Sequence, residues 1–344
     1  MKRSGTIVRR AIGSVAVVTL GVAGIVFSVG NVGASTRPHA ASAATAAKIN
    51  FVGSWSSPSV LALPVVIGLE RGLYAAAGID LNLVLPPTNS TDEQMVGIGQ
   101  AQLGASTNTD MVDARQAGLP IISIANESAV NNWGIFYNPS TKLTAANFAN
   151  GGIGGYGDTF TNAMLPFFYK YFGIKTAKVV TVTNDDIPLM IDHKIMFATS
   201  CTNFGAVEYK QTTGHAAGQL LATKVGAPNS PIWIYIGNTS WLKTHKALTT
   251  AFLNATLAAT KWASANPASA VQLYDSYFKV TYNTYKHNLG EWEATAAVMK
   301  SSLGYFVAQA SQWSELASAL KGIGSLKTVY PADQYFTNAY IGNK

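Results

Sequence analysis

Three adjacent polar residues, Ser106, Thr107 and Asn108, stand directly before a predicted helix that ends near Gln116. The first turn of a helix leaves backbone N–H groups free, and with the helix dipole these groups favour an anion or a polar ligand oxygen. The same residue types commonly serve only as the helix N-cap. One residue can do both, so these three side chains are candidate ligand contacts with a capping alternative.

A second polar run, Gly155-Tyr156-Gly157-Asp158-Thr159, precedes another predicted helix. Its glycines allow a ligand to approach the backbone closely, and the Thr159 hydroxyl can donate a hydrogen bond. The carboxylate of Asp158 would repel a sulfonate or a phosphate, whereas it suits an amine or a ring N–H. The alternative role for Asp158 is a helix cap.

Aromatic side chains near these runs can wall a cleft and stack on a flat ligand. The candidates are Trp55, Tyr156, Phe160 and Phe204. Each could equally be a core residue, but Trp55 lies in a polar loop and is not part of the apolar face of a predicted helix. Together with Asp158 they indicate a small aromatic or heterocyclic ligand that carries an amino group, while a sulfonate stays open.

The residues that could perform catalysis form no recognisable set. Cys201 is the only cysteine, and a nucleophilic pair with His215 is conceivable, although a single cysteine after an apolar strand is more often a small buried side chain. A metal site can be imagined from His193 and His215 with two nearby acids, Asp192 and Glu208, but their spacing matches no tight ligand pattern. The sequence therefore predicts no catalytic residue, no metal and no cofactor.

Strands and helices alternate through the part of the chain that carries these residues. The predicted strands are 49–52, 79–85, 103–105, 121–125, 134–137, 152–154, 178–182, 195–199 and 232–236. The predicted helices are 59–77, 93–101, 109–116, 144–149, 160–172, 185–191, 204–213, 244–264, 267–278, 290–308 and 311–321. This βαβ alternation is typical of an α/β protein with mostly parallel sheets, followed by a helical C-terminal block.

Ligands of open parallel sheets bind beyond the carboxyl ends of the strands. Four loops occupy those ends here: 54–58, 106–109, 155–161 and 200–203. The last of them adds Asn203 to the candidate ligand contacts. The sequence thus predicts that its uncharged polar groups meet in one cleft.

The N-terminal segment has the order of features of an export signal. Basic residues 2, 3, 9 and 10 come first, an apolar stretch follows from Ala11 to Ala34, and small residues fill 41–47. We expect residues 1–47 to be a signal peptide and linker; the alternative is an uncleaved membrane anchor, since the stretch is long enough to span a bilayer. No cysteine lies nearby, so a lipoprotein anchor is not expected.

The charge balance indicates a partner that is not a nucleic acid. The chain has 24 basic and 17 acidic residues, and five of the basic residues but none of the acidic ones precede Lys48, so the remainder carries a net charge of +2. A mature chain with that balance has no basic footprint for nucleic acid. The roughly 300 residues that remain are enough for two domains.

Three segments resemble one family of binding proteins. They are "PVVIGLERGLYAAAGIDLNL" from Pro64, "GQAQLGAST" from Gly99 and "AGLPIISIA" from Ala117. These segments are similar, in order, to the sulfonate/nitrate/taurine and thiamine-pyrimidine-precursor binding proteins of ABC transporters. The resemblance implies a two-lobed, type II periplasmic binding protein, with lobe 1 formed by 48–128 plus 230–344 and lobe 2 by 129–229.

The same resemblance implies a function and leaves two alternatives. We expect a monomeric extracytoplasmic protein that captures a small ligand between its lobes and delivers it to the membrane permease of an ABC importer. One alternative is an enzyme of the pyrimidine-synthase type, although its eukaryotic relatives use a cysteine-rich run that this chain lacks at Ser200-Cys201-Thr202-Asn203. The other is a secreted ligand sensor without a permease.

Overall fold

The structure is a computed structural model, and it describes residues 46–88, 91–182, 186–281 and 284–342. The predicted signal peptide therefore lies outside the described residues. Among the helices of the described part, none combines the length and apolar character that crossing a bilayer requires.

Five strands form the first sheet, in the spatial order β2-β1-β3-β10-β4. Strands β1, β2 and β3 are mutually parallel, and β10 runs antiparallel to both β3 and β4. The strands are β1 (Ala47–Val52), β2 (Ile79–Val84), β3 (Leu103–Thr107), β4 (Ile121–Asn126) and β10 (Trp233–Asn238). All six residues of β10 are buried, as expected of a strand that is covered on both faces.

Helices α1 to α4 connect the strands of this first sheet. They are α1 (Leu63–Glu70), α2 (Leu73–Ala76), α3 (Asp92–Gly97) and α4 (Asn108–Gln116). The single helix predicted over 59–77 is wrong in one respect, because Gly72 adopts a left-handed conformation with φ of 66° and separates α1 from α2. Only glycine adopts that conformation at little cost.

The second sheet repeats the arrangement of the first. Strand β5 pairs antiparallel with β8 and β9, β6 pairs parallel with β7, and a parallel bridge between Ile153 and Phe197 joins β6 to the start of β8. The strands are β5 (Trp133–Tyr137), β6 (Ile153–Gly155), β7 (Val179–Thr181), β8 (Ala198–Cys201) and β9 (Gly218–Leu221). Four strands thus run one way and β5 runs against them, as β10 does in the first sheet.

Helices α5 to α8 accompany the second sheet. They are α5 (Ala145–Asn150), α6 (Thr159–Phe172), α7 (Ile187–Ile191) and α8 (Gly205–Thr213). Buried aromatic rings fill the space under α6: Phe148 stacks on Phe168 at 5.9 Å, and Phe168 meets Trp133 edge-on at 5.9 Å. Such packing fixes α6, whose first residues follow one of the polar runs.

Two segments connect the sheets, and hydrogen bonds join them to each other. The chain leaves β4 at Asn126 and returns to the first sheet at Trp233. The Ser128 hydroxyl oxygen accepts hydrogen bonds from the backbone N–H groups of Ile232 (2.9 Å) and Trp233 (3.0 Å). The Trp233 carbonyl in turn accepts the N–H groups of Glu127 and Ser128. We call these two hydrogen-bonded segments, residues 127–128 and 232–233, the crossing clasp.

The C-terminal part is mostly helical and packs on the first sheet. It comprises α9 (Thr239–Thr244), α10 (Lys246–Ala265), α11 (Pro267–Phe278), α12 (Tyr285–Val298), the hairpin β11–β12 (Lys300–Ser301, Gly304–Tyr305) and α13 (Ala310–Gly322). Phe252 of α10 stacks on Tyr74 at 5.4 Å and on Phe51 at 5.5 Å. The predicted helix 290–308 is wrong at its end, because the chain turns into the hairpin at Lys300.

Candidate functional site

The four polar loops all lie at carboxyl ends of parallel strands. The loop with Trp55 follows β1, Ser106 and Thr107 end β3, the run at Tyr156 follows β6, and Asn203 follows β8. Open sheets of this type bind ligands at those ends, so the predicted site residues lie in positions that are compatible with a ligand site.

Two tryptophans meet at the end of the first sheet. The rings of Trp55 and Trp233 lie 5.9 Å apart at an interplanar angle of 55°. Trp233 begins β10 and pairs with Thr107, the last residue of β3. Its indole nitrogen is buried and has no hydrogen-bond partner in the described part of the chain. An unpaired buried N–H is unfavourable, so Trp233 has an unused donor next to Trp55.

A small cavity lies beside Trp55, between the loop after β1 and the start of α1. Its walls include Phe51, Gly53, Trp55, Ala105 and Tyr235. The cavity has room for about one water molecule. It therefore marks a small gap beside Trp55, and the role of Trp55 as a ligand contact stays a prediction.

Thr107 is the N-cap of α4 among the three residues Ser106, Thr107 and Asn108. Its hydroxyl oxygen accepts the Asp110 backbone N–H at 3.1 Å. Ser106 is buried and donates to the Glu93 carboxylate. These two side chains therefore have hydrogen-bond partners within the fold.

Asn108 is the member of that run with an unused polar atom. Its side-chain amide nitrogen donates to the Ser230 hydroxyl at 3.0 Å and to the Pro231 carbonyl. Its amide oxygen is buried and has no partner among the described residues. Asn108 thus presents an acceptor near the start of α4, which suits a ligand N–H.

Carboxyl groups gather behind and beside the start of α4. Burial and the neighbouring Glu93 charge raise the pKa of Asp92 to about 10. Burial, then the Glu93 charge, raises the pKa of Asp110 to about 8, against a hydrogen bond from Thr107 that lowers it. These residues belong to α3 and α4, and sequence inspection missed them because acids in a first helical turn are ordinary dipole partners.

The second polar run faces this acidic group. The Asp158 carboxylate also raises the pKa of Asp110, and α4 and α6 are in contact. Asp158 is the N-cap of α6, since it accepts the Thr161 backbone N–H at 2.6 Å. The first turns of α4 and α6 therefore bring Asp110 and Asp158 towards each other from the two sheets.

The other residues of the second run have varied surroundings. Thr159 is exposed, whereas Phe160 is buried and meets Trp133 edge-on at 5.8 Å. The Tyr156 hydroxyl donates to the Asp186 carboxylate at 3.2 Å. Thr159 and Tyr156 therefore remain accessible candidates, and Phe160 contributes to the core.

Asn203 has partners for both of its polar side-chain atoms. Its oxygen accepts from Asn132 at 2.8 Å, and its nitrogen donates to the Thr295 hydroxyl of α12 at 2.8 Å. Asn132, which sequence inspection missed, is buried and has a side-chain oxygen with no partner in the described residues. Phe204, next along the chain, is half-buried and packs against the core.

The residues considered for catalysis do not form a reactive pair. Cys201 is buried, and burial raises the pKa of its thiol above its ordinary value, which disfavours the nucleophilic thiolate. His215 is exposed. Within the described ranges, no three side chains of His, Cys, Asp or Glu are grouped as metal ligands.

Two proteins of known activity share sequence with this chain. A 4-amino-5-hydroxymethyl-2-methylpyrimidine phosphate synthase of Saccharomyces cerevisiae is 23% identical over 309 residues, which cover 86% of this chain and 88% of the yeast protein. The formylaminopyrimidine-binding protein of Halalkalibacterium halodurans is 33% identical over 70 residues, or 20% of this chain and 21% of that protein.

A solved structure shows the fold. The periplasmic aliphatic sulphonate binding protein of Escherichia coli superposes with a TM-score of 0.65 at 10% identity, covering 84% of this chain and 92% of that protein. The chain has this two-lobed, type II periplasmic binding protein fold, with a mixed sheet in each lobe. The expected fold class is confirmed.

The sequence family is also clear. Residues 61–270 match the family model described as NMT1/THI5 like. That range begins before α1, includes both crossing segments and ends in α11. The chain belongs to the NMT1/THI5-like family.

Proposed function

We propose that this chain is an exported solute-binding protein that captures a small heterocycle bearing an amino group between its lobes and passes it to the permease of an ABC importer. The observation that carries the proposal is the Trp55–Trp233 pair at the carboxyl end of β3, together with the unpartnered indole N–H of Trp233. Aromatic rings stack on flat ligands, and a free donor orients them.

The charge around the cleft supports an amine over a sulfonate. Asp92, Glu93 and Asp110 lie at the first lobe's side, and Asp158 approaches from the second. In the described part of the chain, none of the recorded ion pairs involves these four residues. Burial favours the protonated form of these carboxyl groups, and a ligand amino group or cation beside them would favour their ionised form and pair with it, whereas an anion would gain no partner there.

The proposal includes the lobe division and the partners. Lobe 1 is 48–128 with 230–344, lobe 2 is 129–229, and the protein acts as a monomer. The two relatives named after pyrimidines support this class of ligand, and the periplasmic binding protein fold supports the role. Export rests on the N-terminal charge pattern of residues 1–47.

A thermal-shift screen of the full chain tests the proposal. The panel holds aminopyrimidines, sulfonates, nitrate, bicarbonate, polyamines and amino acids. A ligand at 100 times its Kd adds about 2.7 kcal/mol to the free energy of unfolding. We expect an aminopyrimidine to raise the melting temperature and Trp55→Ala to weaken its binding by about tenfold or more, since stacking on one base is worth roughly 1–3 kcal/mol.

A matched variant separates stacking from general damage. Trp241 is a partly buried tryptophan of α9 that stacks on His245 at 4.4 Å, away from the cavity. Trp241→Ala should leave ligand binding within about twofold while it lowers stability. A panel with no hit, or equal losses in both variants, would contradict the proposal.

A second candidate is an enzyme of the pyrimidine-synthase type. It is favoured by the alignment with the yeast synthase over most of both chains. Against it stand the buried Cys201 and the exposed His215. Incubation with any panel ligand that binds, followed by mass spectrometry of both ligand and protein, decides: turnover or a modified histidine would establish the enzyme.

A further inference from the structure

Two helices from different parts of the molecule, α8 and α12, pack side by side and antiparallel. Helix α8 follows β8 of the second sheet, whereas α12 belongs to the C-terminal part that packs on the first sheet. Asn203, just before α8, donates to the Thr295 hydroxyl near the end of α12 at 2.8 Å. Towards the other end, the Gln211 side-chain nitrogen donates to the Lys286 carbonyl at 3.1 Å. We call this contact, between residues 203–211 and 286–295, the α8–α12 seam.

Gly290 lets the two helices approach each other closely in the middle of the seam. It is an interior residue of α12, where glycine is less favourable for the helix than alanine. A Cβ atom at this position would clash with the Gln211 side-chain nitrogen and would lie 3.0 Å from a Cγ methyl group of Val207. Val207 and Gln211 share one face of α8, because residues four apart are neighbours on a helix. The chain therefore has a glycine where a side chain would push α8 away from α12.

Phe204 adds an apolar contact to the seam. It is the N-cap residue of α8, it is half-buried, and it packs against the core cluster that includes Val60, Trp292 and Met299. Trp292 lies on α12, and α12 also contacts the turn Val60–Ala62 that precedes α1. The seam thus connects the carboxyl end of β8 to the core beside the first sheet.

The other helix contact between the two sheets has the opposite character. The first turns of α4 and α6 meet, and the Asp158 charge raises the pKa of Asp110. Two carboxyl groups that face each other repel when both are ionised. The crossing clasp joins the connecting segments, but segments of this kind can absorb a hinge rotation. The seam is therefore the attractive contact away from the hinge.

We propose that the α8–α12 seam holds the two lobes together in the absence of a ligand, so that Gly290, Gln211 and Thr295 set how often the cleft opens. This inference rests on the proposed division into lobes and does not depend on the identity of the ligand. Opening separates α8 from α12, which breaks the two hydrogen bonds of the seam and exposes Phe204. Residues of the seam therefore change the apparent affinity for any ligand held between the lobes without touching it, since binding depends on the population of the competent state.

Pulsed electron paramagnetic resonance of the ligand-free full chain tests this inference, with spin labels on Asp80→Cys and Lys175→Cys. Both positions are exposed, one on β2 and the other between α6 and β7. The native Cys201 is buried, so the label does not reach it. We expect one dominant distance between the labels when the seam is intact. Gly290→Leu should raise the share of a second distance about tenfold or more, because overpacking of this size shifts an equilibrium by at least that factor.

The matched control is Gly322→Leu, because Gly322 ends α13 and has open space around its Cβ position; its distances should stay those of the intact seam. Thr295→Val leaves the Asn203 nitrogen without its acceptor and should act in the same direction as Gly290→Leu, so it provides the test if the leucine variant does not fold. The inference is overturned if neither seam variant changes the distances, or if the control changes them equally. Two comparable populations with the seam intact overturn it too. A ligand panel without a hit contradicts the proposed function and leaves this comparison valid.

Discussion

The two tryptophans of the candidate site differ in how well their position could be predicted from the sequence. Trp55 could be predicted because it stands in a polar loop, where an apolar ring has no core to fill. Trp233 begins the apolar run Trp233-Ile234-Tyr235-Ile236, which has the pattern of a buried strand. Only the pairing of β10 with β3 brings its ring to Trp55. The unpartnered side-chain oxygens of Asn108 and Asn132 could not be predicted from the sequence either. Whether an amide oxygen has a hydrogen-bond partner depends on the residues that the fold places around it.

The buried carboxyl group of Asp110 should make the stability of the protein depend on pH. Its folded-state pKa of about 8 lies above the ordinary value near 4. Its contribution to stability is therefore fully present below about pH 4 and is lost as pH rises through about 8. We expect the wild type to melt at a lower temperature at pH 8 than at pH 5, and Asp110→Asn to reduce that difference by a few degrees.

Calorimetric melting of both proteins across pH 4–9 measures this effect, since about 1 kcal/mol moves the melting temperature by roughly 2–4 °C. Asp80→Asn, at an exposed position of β2, is the control and should leave the pH profile as it is. An Asp110→Asn profile that parallels the wild type would show that another group causes the pH dependence.

At the scale of the elements, hydrophobic periodicity located most strands and helices within a few residues. The failures have local causes. A positive φ at Gly72 divides one predicted helix, and the turn at Gly304, with φ of 101°, permits the hairpin that cuts another short. Strand β9 was not predicted, because Gly218-Gln219-Leu220-Leu221 has little β-propensity and exists through pairing with β5.

The first turn of α6 gives a prediction that separates capping from binding. Asp158 caps the helix through Thr161, while its neighbour Thr159 is exposed. Asp158→Ala should lower the free energy of unfolding by about 1 kcal/mol, as loss of an N-cap usually does. Thr159→Ala should change it by less than about 0.5 kcal/mol.

Urea unfolding of the ligand-free variants provides these values. Ligand affinity measured on the same samples then tells whether Asp158 also contacts the ligand. Equal stability of the wild type and Asp158→Ala would mean that the α6 cap is not formed by this carboxylate.

At the scale of the whole molecule, the resemblance gave the two-lobed architecture, and the fold comparison confirms it. Composition and periodicity alone indicated only an α/β chain. They could not show that each sheet has one antiparallel strand in the same place, because that depends on pairing between segments that lie far apart in the sequence, such as Trp133 with Cys201 and Thr107 with Trp233. The crossing clasp could not be predicted from the sequence either, because its hydrogen bonds join Ser128 to Ile232 and Trp233, about 100 residues further along the chain.

The clasp provides a prediction on the stability of the whole protein. Ser128→Ala leaves the backbone N–H groups of Ile232 and Trp233 without their acceptor. Each such loss costs about 1–3 kcal/mol, so we expect the free energy of unfolding to fall by about 2 kcal/mol or more.

Ser123 is a matched control in the preceding strand, β4. It is also buried, and its hydroxyl has no partner in the described residues. Ser123→Ala should therefore cost less than about 1 kcal/mol. Denaturant titration of both variants gives the comparison, and similar losses in the two would mean that the clasp adds no stability of its own.

The position of Trp233 has one more consequence. Its backbone belongs to the segments that must bend if the lobes move, and its ring touches Trp55 beside the cavity. Indole emission depends on the polarity and quenching around the ring, so the molecule contains its own optical reporter. In a stopped-flow instrument, contact of the ligand with the ring and bending of the hinge would emerge as two successive changes in tryptophan fluorescence, and both should be lost in Trp233→Phe.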